Sequence, residues 1–140
     1  MKKFALLLIA MVGIATGVNA QSWKELSAFH HLMSNTFHPA ENGDYKPLRD
    51  KADSLYMAAV TLQKSAIPAD YKEKETKETL DKLVVDTKAI VDALKKATTS
   101  EPTLFSLINT AHDTFHKVVG ECKKDSHDGH GHGSHDGHNH

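Results

Sequence analysis

An all-α fold, an up-down-up-down four-helix bundle, is what this sequence predicts, and three observations lead there. Apolar residues recur at spacings of three and four through four separate stretches, the period of a helix with one buried face. The links between those stretches are short and punctuated by Pro or Gly, which makes successive helices antiparallel neighbours. Strict strand-like alternation is absent, Val84-Val85 being too brief to count.

Residues 1–20 precede the bundle. Lys2 and Lys3 form a basic start, Phe4 to Val12 an apolar run, and Val18-Asn19-Ala20 a small-residue cleavage site. The expectation is a secretory signal peptide cut after Ala20, with a periplasmic or secreted mature protein. Gly13 and Gly17 break the apolar run, which is shorter than the roughly 20 residues a membrane-spanning helix needs.

The bundle is expected over 21–124. Its first helix is expected from about Ser22 to Thr36, with Trp23, Leu26, Phe29, Met33 and Phe37 on one stripe. It should end near Phe37-His38-Pro39, because a residue before proline avoids the helical region. Asn42-Gly43-Asp44 is a turn. The second helix begins at Lys46-Pro47 and carries Leu48, Ala52, Leu55, Ala59, Leu62 and Ala66, until Ile67-Pro68 stops it. A third, from about Asp70 to Ala97, shows Leu80, Leu83, Thr87, Ile90 or Val91, and Leu94. Ser100 caps the fourth, where Pro102 occupies the first turn without loss of a bond. Its stripe is Leu104, Ile108, Ala111, Phe115, Val118, Val119 and Cys122. The final stretch, 125–140, repeats Ser-His-Asp-Gly-His and has no apolar side chain, so it is expected to be disordered without metal.

Charge and cysteine content exclude several classes. Taking Lys2 and Lys3 from 17 basic residues leaves 15 against 18 acidic ones, a formal charge of −3 and no footprint for nucleic acid. After signal cleavage no segment is suited to a membrane. Cys122 is alone, so no internal disulfide forms. It reads as a small core residue, with a thiolate ligand or an intermolecular disulfide as alternatives.

Histidine carries the functional signal. There are eleven: His30, His31 and His38 early, His112 and His116 late, and His127, His130, His132, His135, His138 and His140 in the repeat. Imidazole is the commonest protein ligand for Zn, Cu, Ni and Co. His112 and His116, at i and i+4, emerge one turn apart on one face and can hold one ion together. His31 and His38 share a flank of the first helix, and His30 lies at the edge of its apolar stripe, where it also reads as hydrogen-bonded structure. Helices 1 and 4 close the bundle as neighbours. Counted at about 1.5 Å per residue, His30 and His31 come level with His112, and His38 sits about two turns higher. The helix 1 contribution therefore stays open among the three. Glu41 is an oxygen ligand or a solvated turn residue.

Thr36-Phe37-His38-Pro39-Ala40-Glu41, followed by Asn42-Gly43 and Pro47, and His112-Asp113-Thr114-Phe115-His116, followed by Cys122, resemble a group of small exported bacterial helical proteins. That resemblance covers most of the mature body. It implies that His38, His112 and His116 form the functional set together with Glu41. The architecture is similar to the exported four-helix cytochromes of the b562 and c′ kind, without secure carry-over of their haem contacts.

These readings converge on an exported transition-metal-binding protein, a buffer, carrier or sensor, with a metal set drawn from His31, His38, Glu41, His112 and His116. Zn(II) suits such borderline ligands, and Cu(II), Ni(II) or Co(II) nearly as well. The expected partners are metal ions and a protein that donates or accepts them; the oligomeric state is not legible. One alternative is a b-type haem electron-transfer bundle, with Met33 or His30 and His112 or His116 as axial ligands. No Cys-x-x-Cys-His is present for covalent attachment. Another is a structural, partner-binding bundle. An enzyme is not expected, since no nucleophile elbow, phosphate loop or His-Glu-x-x-His occurs.

Overall fold

The computed structural model describes residues 22–124. The expected signal peptide, 1–20, and the His-rich stretch 125–140, expected to be disordered, lie outside the described residues. Within them the chain forms four helices: α1 (Lys24–Glu41), α2 (Lys46–Lys64), α3 (Glu73–Leu94) and α4 (Glu101–Val119). Each helix packs on the next, and α4 returns to pack on α1, while the diagonal pairs do not meet. The expected up-down-up-down bundle is the fold. Its α1/α4 seam is the loosest of the four.

The apolar stripes become the core as their spacing requires. Leu48, Leu55 and Leu62 of α2, Leu80, Leu83 and Ile90 of α3, and Leu104, Ile108 and Val118 of α4 are almost wholly withdrawn from water. Each such side chain contributes about 1.5–3 kcal/mol of transfer free energy. Cys122 is buried just beyond the end of α4, as a small core residue would be.

Four boundaries differ from expectation: α3 ends at Leu94 instead of Ala97, and the other three differ for a visible reason. α1 runs through Pro39 to Glu41. Buried Ala40 holds the added turn against the core, and the Pro39 and Ala40 carbonyls accept from the N–H groups of Asn42, Gly43 and Asp44. Gly43, at φ 81°, supplies the left-handed residue that reverses the chain. α2 ends at Lys64, so Ala66 lies exposed beyond it instead of extending the stripe. α3 starts at Glu73 because Asp70–Lys72 is engaged elsewhere: the Lys72 N–H donates to the Cys122 carbonyl, and the Lys124 N–H to that of Asp70. Tyr71 is drawn inward by an edge contact with Trp23, ring centroids 5.0 Å apart, and the Trp23 indole N–H donates to Ser65 Oγ. This knot ties the start of α1, the α2–α3 link and the exit of α4 together at one end.

At the other end, Ser100 caps α4 as expected, accepting from the Thr103 N–H at 3.4 Å. Ser100→Ala leaves that donor without its protein partner and should lower stability by about 0.5–2 kcal/mol. Urea denaturation with an unchanged slope would verify it.

Candidate metal centre

The α1/α4 seam is open because flat rings fill it. Phe37 of α1 lies between two rings of α4, stacked on His112 with centroids 3.8 Å apart and planes 8° apart, and more distantly on Phe105 at 6.3 Å. A turn or two lower, Phe115 of α4 packs against Phe29 at 5.2 Å and His30 at 5.3 Å. Phe29, Phe37 and Phe115 are buried, whereas His30 is exposed. The rings set the helix separation and line up imidazoles along the outer edge of the seam.

His112 and His116 are the centre of this row. Their spacing on α4 brings the Nε2 atoms within 3.1 Å, with the rings nearly perpendicular at 77°. Two nitrogens bound to one ion at about 2.0–2.1 Å are held about 2.9–3.4 Å apart at square to tetrahedral angles. The observed separation falls in that window. It is equally the length of an N–H···N hydrogen bond, in which one ring donates and the other accepts. Either way the pair holds no more than one proton or one ion between its facing nitrogens.

α1 brings two further groups. His38 and Glu41 are one turn apart, Nδ1 to Oε2 2.8 Å, on the added turn through Pro39. Both are largely exposed, and both act electrostatically on His112. His38 edges onto Phe37, ring centroids 5.6 Å apart, on the same turn of α1. Phe37, its chain neighbour, is already in contact with the His112 ring. Side chains lean toward their own helix N-terminus, so on antiparallel helices they approach each other across a difference in Cα height.

His31 sits apart. Its Nε2 meets Asn35 Nδ2 at 3.1 Å on its own helix, and it is not among the groups acting on His112. His30, the less favoured candidate, lies on the seam through its contact with Phe115. The sequence held a signal for this, since His30 and Phe37 are seven residues apart and share a flank. Met33 is fully buried in the core, so an iron could reach it only if α1 and α4 separated. Among the described residues no three of His, Cys, Asp and Glu close on a single point as a finished metal cage. What the structure shows is two facing imidazole nitrogens on α4 and a separate His38–Glu41 pair at the end of α1.

Burial lowers the pKa of His112, and the neighbouring His116 lowers it further; Asp113 and Glu41 pull the other way, and His38 adds a small lowering. A histidine whose folded pKa lies below its unfolded value contributes stability that is present above the unfolded pKa, near 6.5. That contribution is lost as pH falls through the folded pKa. The metal-free protein should therefore lose stability on acidification below about pH 6.5, and His112→Gln should flatten that part of the profile. Thermal unfolding measured from pH 7.5 to pH 5 would show whether the two curves separate there.

No protein family, curated protein or solved structure matches this chain.

Proposed function

We propose that this protein is an exported binder of a divalent transition metal, serving as buffer, carrier or sensor, with His112 and His116 as the primary ligands. The observation that carries the reading is the 3.1 Å separation of their Nε2 atoms, the bite of a chelate on one ion. Phe37 holds the His112 ring flat from behind, which reduces the ordering that binding has to supply. His38 and Glu41 stand at the mouth as a nitrogen and an oxygen donor, or as a partner that orients a ligand by hydrogen bonding. The lowered pKa of His112 favours the neutral ring that a metal requires. Zn(II) fits this donor set, and Cu(II), Ni(II) and Co(II) are its competitors. The segment 1–20 would direct the protein out of the cytoplasm. The role is binding, with no reaction step assigned.

The test is Zn(II) titration of the mature chain followed through the histidine ring signals in nuclear magnetic resonance, assigned by single variants. The first equivalent should move His112 and His116. If both stay in place while the tail histidines respond, the metal reading of the seam fails. Addition of haem in the same buffer should give no Soret band assignable to axial histidine.

A further inference from the structure

The outward face of α2 carries an acid, a methionine and a base at equal intervals. Asp50, Met57 and Lys64 stand seven residues apart, so they fall within about 40° of one another around the helix axis. They form one stripe opposite Leu48, Leu55 and Leu62, which face the core, and all three are exposed. Met57 is 57% exposed, and only Val85 among the described large apolar side chains is more so.

A single exposed methionine is ordinary on a protein surface. This one borders a hollow. Between α1 and α2 lies an open, mainly apolar groove of about 450 Å³, lined by Lys24, Glu25, Ala28, Ala58 and Thr61. The two alanines are too short to fill the space between the helices. Met57 directly precedes Ala58 and stands one turn before Thr61, so a flexible apolar knob and an apolar hollow lie side by side.

The charges on either side of Met57 say what fits there. A two-fold axis through Met57, perpendicular to α2, sets a second α2 antiparallel to the first. Asp50 of each copy then faces Lys64 of the other, about 10 Å from the axis on both sides. A parallel copy would instead set Asp50 on Asp50 and Lys64 on Lys64, which is repulsive. Among the described residues Lys64 makes no ion pair, and Asp50 pairs only with the exposed Lys46.

We propose that this protein forms a two-fold homodimer through α2, in which Met57 of each copy enters the Ala28–Ala58 hollow of the other and Asp50 pairs with Lys64 across the axis. Such an isologous contact closes on itself and stops at two copies. It is one helix face with one apolar anchor per copy, so association is weak and concentration-dependent. His112 and His116 lie on α4, diagonal to α2, and stay open in both copies. The inference is therefore independent of the metal reading.

The experiment is sedimentation equilibrium of the mature chain from low micromolar to millimolar concentration. Chelator and reductant are present, so that neither metal nor Cys122 joins two copies. The parent should pass from monomer towards dimer across that range. M57E should weaken association at least about tenfold, with the circular dichroism of the monomer unchanged because the side chain lies outside the core. D50K and K64D should each weaken it about threefold or more, since like charges then face one another. D50K/K64D, which exchanges the two signs, should return to within about threefold of the parent. A parent that stays monomeric at millimolar concentration overturns the proposal. So does a dimer that M57E leaves intact, or one in which the double exchange fails to recover the single losses, because association then uses another face or register.

Discussion

Replacing His112 and His116 together by Ala should cost the protein its tightest zinc ion, with affinity falling by at least about 100-fold. Loss of a residue that merely supports a ligand costs about 10- to 100-fold, and here two ligands go. Either single replacement should cost nearly as much, because one imidazole without its chelate partner binds no better than a tail histidine. The effect will also be visible as stability. Metal held at one hundred times its Kd stabilises a folded protein by about 2.7 kcal/mol, and a domain of this size gains about 4–8 °C for each 1 kcal/mol. The parent should therefore melt roughly 10–20 °C higher in zinc than in chelator, and the double variant should show almost no difference. His31→Ala serves as the control, since His31 bonds to Asn35 away from the pair. A double variant that still gained its full zinc shift would place the ion elsewhere on the chain.

The contrast between what was legible in the sequence and what was not follows interaction range. Leu48, Ala52, Leu55, Ala59 and Leu62 are buried as their spacing demands, because helix period is local and nothing distant has to be known. The His112/His116 pair was legible for the same reason: i, i+4 proximity is guaranteed once the helix forms. Partnership across the seam was only partly legible. It depends on where α1 ends, and the Pro39 rule ended it too early because the buried contact of Ala40 outweighs the bond proline cannot donate. It depends also on ring thickness, since Phe37 and Phe115 fill a gap that helix counting treats as empty. Glu41 gained its place beside His38 from that extra turn, which put the two at i, i+3 on one helix.

The same dependence on local and distant contacts explains the two ends of the bundle. The Ser100 cap was readable because a serine before an apolar-periodic run with Pro in its first turn satisfies orphan N–H groups within four residues. The knot of Trp23, Ser65, Tyr71 and Cys122–Lys124 joins residues far apart in sequence, and no local pattern announces it. It fixes Lys124 against Ala69 and Asp70 at the end of the bundle.

Phe37 is where stability and metal binding meet, and its replacement should separate them. The ring is 5% exposed and lies between Phe105 and His112. Phe37→Ala should destabilise the metal-free protein by about 3–5 kcal/mol, a large share of the 5–15 kcal/mol typical of a whole domain. Chemical denaturation in the presence of a chelator measures it. Much of that loss is packing alone, so the informative variant is Phe37→Leu. Leucine restores most of the apolar burial but offers no flat face to His112, whose stack with Phe37 is nearly parallel. Stability should then largely return while zinc affinity stays reduced, because the His112 ring must be ordered at the moment of binding instead of beforehand. If Phe37→Leu binds zinc as tightly as the parent, the ring contributes only to packing, and the geometry of the pair is set by α4 alone. A fall in affinity with stability restored assigns Phe37 the positioning of a ligand across the seam, a role that its place in the apolar stripe does not by itself indicate.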